Sequence, residues 1–464
     1  MRILHVASEV YPLIKTGGLA DVAGSLPLAL SGTNTVFVPG YPSVMDGLRD
    51  AKVHAEARAL DGSSVRLVRG RADTGLSVIA MDAPDLFGFS GNPYDAPGNG
   101  ARFAAFSRMA ADVAQGIGRH KGFDVVHAHD WQAGLTAAFL RADGASVRTV
   151  FTIHNLAFQG TFSRAVFDAT GLPREQWDAV EYWEQLSTLK AGIVFSDWVT
   201  TVSPTYALEI QTDEMGMGFG GLLRARSDHL RGILNGIDPA VWNPATDAAI
   251  AAPFSAADPS GKTACKRALQ AEFGLAHAAK GPLFCVISRL TEQKGLDLVP
   301  AMLDGIVARG GQLVLLGSGD ADIEQAFRQA AERHPTQVGV RIGYDEPLAH
   351  RIQAGADAIL IPSRFEPCGL TQLIAMAYGT VPVVSRTGGL TDTVIGATPA
   401  ALKAGAATGV GFAPVSAHML WSAVDETLRL FADTSVWNRM RDAAMALDFG
   451  WDGPARDYEA LYRE

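Results

Sequence analysis

RILHVASEVYPLIKTGGLADVAGSLPLALS, residues Arg2–Ser31, decides how the rest of the chain is read. Arg2–Val6 is a short apolar run of strand length, and Gly17–Ser31 reads as the loop and helix behind it. Working outward, Thr35–Val38, Val65–Val68, Val78–Met81, Asp124–His127, Thr149–Ile153, Trp198–Val202 and Gly232–Leu234 are further strand candidates. Helix-period segments such as Ala101–Gly116 and Leu186–Phe195 lie between them. Continuous β-branched runs separated by helices predict an α/β fold whose parallel sheet is covered on both faces.

The alternation stops at Asp238–Pro259, which holds four prolines and little periodicity and predicts a linker over 239–259. It restarts with Leu283–Ile287, Gln312–Leu316, Val338–Ile342, Ala358–Ile361 and Val381–Val384, each followed by a helical segment. The expected organisation is therefore one doubly wound domain over 1–238, a second over 260–446, and a terminal helical segment over 447–464. Ligands of such sheets bind outside the carboxyl ends of the strands, so the expected site is the cleft where two such ends face each other.

Composition narrows the function. With 39 Lys+Arg against 49 Asp+Glu the net charge is −10, which argues against nucleic acid as a partner. Anionic small molecules, which need only a few placed cations, stay open. No run approaches the 18 apolar residues of a membrane span, and the opening MRILHVASEV has no charged region followed by a long apolar stretch and no transit-peptide composition. Cys265, Cys285 and Cys368 are too few and scattered for a disulfide framework or a cysteine-rich zinc site, so a reducing cytoplasm is expected.

Three loops at predicted strand ends carry anion-binding chemistry. Lys15-Thr16-Gly17-Gly18 combines a cation, two glycines that let backbone N–H groups approach a ligand, and a helix start. The bland alternative is a tight turn. Arg289 and Lys294, five residues apart after Leu283–Ile287, would flank a diphosphate from two sides, or else form a solvated loop with an Arg–Glu pair. Glu366-Pro367-Cys368-Gly369-Leu370-Thr371 places a carboxylate before a helix that Gly369 is expected to open. Glu366 reads equally as a sugar-hydroxyl ligand or a capping carboxylate.

In the first domain, His127-Ala128-His129-Asp130 and His154-Asn155 end neighbouring strands. His127 is read as a satisfied core histidine, and His129, Asp130 and His154 as functional. A metal held by His127, His129 and Asp130 is disfavoured because successive strand residues face opposite ways. Two decoys are set aside: Ser260-Gly261-Lys262-Thr263 lacks the upstream glycine of a phosphate loop, and Asp320-Ala321-Asp322 reads as an acidic helix start.

In this order, SEVYPLIKTGGLADV, HAHDWQ, HNLAFQG, TVSPTYALEI, ILNGID, SRLTEQKG, RFEPCGLTQL and TGGLTDTV resemble the bacterial glycogen synthase and plastid starch synthase family over essentially the whole chain. The resemblance implies the GT-B fold of two Rossmann-like domains, with the last helix returning to the first domain. It implies transfer of glucose from ADP-glucose to the non-reducing end of an α-1,4-glucan such as glycogen, with retention and with no cofactor or metal. Lys15, Gly17 and Gly18 would contact phosphate and sugar, and Arg289 and Lys294 would neutralise the leaving diphosphate. Glu366 and the backbone of Cys368, Gly369 and Leu370 would hold glucose hydroxyls, with Thr371 on phosphate. His154 would lie near the glucosyl 6-hydroxyl and Asp130 near the reacting centre. Tyr344 would stack on adenine, Asn235 would touch sugar, and Tyr94 would line the acceptor side. The wider clan's second glutamate is replaced by Ile374. A UDP-glucose-dependent relative and a non-catalytic glucan-binding homologue are the alternatives.

Overall fold

The computed structural model describes residues 1–117, 121–277 and 280–464. Contacts divide it into two units, Met1–Gly236 with Trp451–Glu464, and Ile237–Gly450.

The strands of the first unit are β1 (Arg2–Val6), β2 (Thr33–Pro39), β3 (Arg49–Arg58), β4 (Ser64–Arg71), β5 (Ser77–Asp82), β6 (Val125–His129), β7 (Arg148–Ile153), β8 (Thr161–Phe162), β9 (Glu181–Tyr182), β10 (Gln185–Ser187), β11 (Trp198–Thr201) and β12 (Leu230–Gly232). Nine of them form one sheet in the order β12-β11-β7-β6-β1-β2-β5-β4-β3. Its body is parallel, as the buried runs predict, but β3 and β4 extend it antiparallel. Only part of β4 was expected and β3 was not, because most of β3 is exposed and carries no apolar run. β8, β10 and β9 make a separate small antiparallel sheet.

Trp451, Ala455, Tyr458, Leu461 and Tyr462, on or beside the helix Asp452–Arg463, bury themselves against Ile3, Val22, Leu26, Val125 and Val150. The side chains recur on one helical face, so the last helix closes the far side of the first sheet. Arg148 reinforces this, donating to the carbonyl of Tyr462 at 2.9 Å.

The second unit carries β13 (Leu283–Ile287), β14 (Gln312–Gly317), β15 (Val338–Ile342), β16 (Ala358–Ile361), β17 (Val381–Ser385) and β18 (Val410–Phe412). They form an all-parallel sheet in the order β15-β14-β13-β16-β17-β18, the doubly wound dinucleotide-fold order. The segment 239–259, read as a linker, is packed into this unit. Trp242, Ile250, Ala252 and Phe254 join the cluster of Ile237, Cys265, Tyr378 and Ala444. Asp247 accepts from the Tyr378 hydroxyl at 2.6 Å and sits 2.7 Å from His350 Nδ1, while Trp242 stacks on the His350 ring at 3.9 Å. Prolines here shape a strap, not a free tether. The end of the chain, expected to be helical throughout, is three helices, Ala417–Ala432, Thr434–Met445 and Asp452–Arg463.

Candidate active site

Each sheet reverses its winding once, between β1 and β6 in the first unit and between β13 and β16 in the second. Loops leaving adjacent strands there diverge to opposite faces and open a crevice. Most of the residues singled out from sequence follow those four strands.

After β1, the loop turns on a residue the sequence reading missed. Glu9 is only 2% exposed. It accepts from the Thr16 hydroxyl at 2.6 Å and also from the Thr16 peptide N–H and the Tyr94 hydroxyl. Tyr94 is 2.9 Å from Ser8 Oγ as well, so its phenol is committed to the loop while its ring lies 6.2 Å from that of Trp131. Lys15 meets Asp21 at 2.8 Å and stands over the Tyr11 ring. Gly17 and Gly18 are exposed, and a Cβ built on Gly17 would meet no atom within 4 Å. No packing among the described residues demands a glycine there, and the helix Gly18–Ala29 has no side-chain cap at its N-terminus, where an anion would be favoured.

After β6, Asp130 adopts a left-handed backbone (φ 56°) and accepts from the His154 peptide N–H at 2.7 Å. Burial pushes its carboxyl up to about 7; the Glu9 charge adds to the rise, and peptide N–H groups of His154 and Asn155 oppose it. His129 Nδ1 is 3.0 Å from His154 Nε2. His127 has both ring nitrogens engaged, by the Tyr462 hydroxyl at 2.7 Å and Thr152 Oγ1 at 2.5 Å, which is the satisfied core histidine expected. Desolvation holds all four nearby imidazoles neutral: His5 and His154 fall to about 3, and His127 and His129 well below the usual value. His5, His127 and His129 bring ring nitrogens within 4.8 Å of one another, a grouping that draws on β1 and excludes Asp130. Asn235, after β12, is 7% exposed with an unpartnered amide oxygen.

After β13, Arg289 is exposed and forms no ion pair among the described residues. Lys294 does not stand free beside it: its ammonium lies 2.6 Å from Glu366 Oε2, with both side chains mostly buried. Glu366, 6% exposed, also accepts from Ser363 Oγ at 2.9 Å. The sequence suggests separate duties for the two residues, and the structure joins them.

Gly369 does not open the following helix, which runs Thr371–Ala377; it makes the left-handed turn before it (φ 71°), where side chains are strained. Gln372, unnoticed in the sequence, donates to the carbonyls of Cys368 (2.9 Å) and Gly369 (2.7 Å), fixing the backbone of that loop. Cys368 is buried, Leu370 and Thr371 are partly exposed, and Ile374 packs in the core. Tyr344, beyond β15, is 75% exposed, with its hydroxyl on Glu346.

The decoys resolve as local structure. Lys262 is buried and donates to the carbonyls of Ala354 and Tyr378 and to Thr380 Oγ1. Asp320 flanks the start of the helix Ala321–Arg333.

The chain is similar to known proteins over its whole length. Residues 2–225 match the starch synthase catalytic domain and residues 270–432 match glycosyl transferases group 1. Glycogen synthase of Rhodopseudomonas palustris strain BisA53 is 52% identical, over 100% of this chain and 97% of its own. That of Novosphingobium aromaticivorans is 51% identical, over 100% and 98%. Among solved structures, the catalytic domain of Arabidopsis thaliana starch synthase IV bound to ADP and acarbose has a TM-score of 0.91 and 34% identity, covering 100% of this chain and 98% of that one. Sucrose-phosphate synthase of Thermosynechococcus elongatus, at 19% identity and a TM-score of 0.61 over 100% and 98%, shares the fold. The chain belongs to the glycogen synthase and starch synthase family of glycosyltransferases, and its two Rossmann-like units are those of the GT-B fold.

Proposed function

We propose that the protein transfers glucose from ADP-glucose to the non-reducing end of an α-1,4-glucan, with retention and without a metal ion. The observation that carries this reading is the charge arrangement at the β13/β16 switch point. There a guanidinium with no ion-pair partner among the described residues, Arg289, follows the same strand as an ammonium, Lys294, already fixed on Glu366.

Cleavage of the anomeric C–O bond leaves negative charge on the departing diphosphate and oxocarbenium character on the sugar. Cations whose positions are set before reaction stabilise that charge without reorganising. In this reading Arg289 and Lys294 take the diphosphate, and Glu366 orients glucose hydroxyls while keeping Lys294 in place. Tyr344 stacks on adenine. In the first unit, Lys15 and the N-terminus of Gly18–Ala29 suit a phosphate, Asn235 and His154 a sugar, and Tyr94 the acceptor. Asp130 acts through its charge on the developing oxocarbenium ion, and the acceptor hydroxyl attacks from the face the diphosphate leaves, passing its proton to the departing diphosphate oxygen. A glucosyl adduct trapped on Asp130 or Glu366 would contradict that last step. The three cysteines are buried and outside any disulfide among the described residues, which suits a cytoplasmic enzyme.

The test is incubation with glycogen and either ADP-glucose or UDP-glucose, in the presence and absence of EDTA. Glucan-dependent ADP release, unchanged by EDTA, is expected. Preference for UDP-glucose would overturn the donor assignment, loss of turnover in EDTA the metal-free mechanism, and no release from either donor the enzymatic reading.

A further inference from the structure

We propose that His129 is a positioning residue that fixes the tautomer of His154, so that His154 offers its ligand an Nδ1–H donor. The inference deepens the reading that His154 faces the donor sugar and rests on it for its consequence, but not for its geometry.

The contact is unusual in kind. His129 Nδ1 and His154 Nε2 are 3.0 Å apart, and both rings are held neutral by desolvation. Two neutral imidazoles share such a contact in only two ways, since one nitrogen must carry the proton and the other the lone pair. If His154 Nε2–H donates, the His129 proton resides on Nε2. That atom is fully buried and has no hydrogen-bond partner among the described residues, so an N–H there would be orphaned. If His129 Nδ1–H donates, Nε2 is a bare lone pair, and the orphaned donor disappears. Buried unpaired N–H groups are the rarer and costlier case. The second arrangement therefore holds, and it forces the remaining proton of His154 onto Nδ1, which makes no hydrogen bond within the described protein.

His129 is well built for this duty. It is 0% exposed, its ring lies 4.2 Å from the His127 ring, and it stacks on His5 at 6.0 Å. His127 is pinned at both nitrogens, on one side by Tyr462 of the terminal helix. The orientation of His154 is thus set by a packed column reaching from β6 to the end of the chain. The ligand class follows from the chemistry: an N–H donor selects an oxygen acceptor, here the glucosyl 6-hydroxyl.

Two measurements test it. In protein labelled with ¹⁵N-histidine, with His154 assigned by its loss in His154→Gln, the resonances should report protonation at Nδ1. His129→Asp, which puts an acceptor at the Nδ1 position, should move the proton to Nε2. Protonation of His154 at Nε2 in the unaltered protein would overturn the proposal whatever the substrate proves to be. Kinetically, His129→Ala should lower kcat/KM for ADP-glucose by about 10–100-fold but leave that for ADP-6-deoxyglucose nearly unchanged. His129→Asn, whose amide N–H occupies the place of Nδ1–H, should restore most of the loss. Equal losses with both donors, or no rescue by asparagine, would reduce His129 to a packing residue. If the unaltered protein and His154→Ala both fail to distinguish the two donors while the resonances hold, only the placement of His154 at the 6-hydroxyl is wrong.

Discussion

Lys294 Nζ lies 2.6 Å from Glu366 Oε2, and the two residues reach that contact from loops that leave neighbouring strands β13 and β16. The pair bridges the point where the second sheet reverses its winding. The ammonium is thereby stored against a carboxylate, at a fixed position.

That storage separates two cations that the sequence treats alike. Lys294→Ala strands a buried carboxylate and should destabilise the second unit by about 3–5 kcal/mol, the usual cost of removing one partner of a buried pair. Arg289→Ala removes an exposed side chain without an ion-pair partner among the described residues, and should leave the urea midpoint unchanged. Both should lower kcat by roughly 10²–10³, the cost of one preorganised electrostatic donor. Near-native turnover in both variants would remove the diphosphate role, and equal stability losses would contradict the structural distinction.

The loops that carry these residues are legible in the sequence because each follows a continuous buried run, and ligands of such sheets bind beyond the strand ends. Glu9 is not legible. Its partners Thr16 and Tyr94 lie 7 and 85 residues away, and a lone carboxylate in a loop leaves no periodic trace. Gln372 hides for the same reason, inside a helix whose pattern looks like core. β3 escapes because neither of its faces is fully buried, and the strap 239–259 because its packed aromatics are irregularly spaced between prolines. Pattern reveals elements buried by period; it does not reveal single polar contacts made across the fold.

Asp130 makes the pH dependence predictable. Its carboxyl is raised to about 7 by burial, so near neutrality part of the protein carries it uncharged. If the charge stabilises the oxocarbenium ion, kcat should climb as pH passes through about 7 and flatten above it. Asp130→Asn keeps an acceptor for the His154 peptide N–H and tolerates the left-handed backbone. It should therefore have a low kcat without that limb. A flat native profile between pH 6 and 8 would show that the ionised form is not needed.

The buried imidazoles set the acid limit of stability. His5 and His154 titrate at about 3 in the folded protein, and His127 and His129 also lie far below the unfolded value near 6.5. Below about 6.5 the unfolded chain binds protons that the folded chain refuses, so their contribution is present above that pH and lost as pH falls toward 3. Asp130 acts in the opposite sense between about 7 and its unfolded value, since its folded form is the better proton acceptor. Four groups outweigh one. Urea midpoints should fall between pH 7.5 and 5.5, each group contributing up to about 1.4 kcal/mol per pH unit, and His129→Asn should shallow the fall. A midpoint independent of pH over that range would mean these rings are not held neutral.

One turn is built against the preferences of its residues. Trp183 (φ 51°) and Glu184 (φ 61°) join β9 to β10 with both central residues left-handed, the two-residue hairpin that favours Asn-Gly. Trp183 is 82% exposed, so no burial of its ring offsets that backbone. The Glu184 peptide N–H donates to Glu181 Oε1 at 2.5 Å, which holds the turn from the strand side. Glycine at 184 removes the Cβ clash while gaining freedom in the unfolded chain, and asparagine at 183 tolerates the left-handed region. Trp183→Asn with Glu184→Gly should therefore stabilise the first unit by about 1 kcal/mol, read as a higher urea midpoint at unchanged slope. Glu184→Ala, which keeps the Cβ, should give no such gain. If alanine stabilises as much as glycine, the gain comes from removing the charge and the backbone is not under strain.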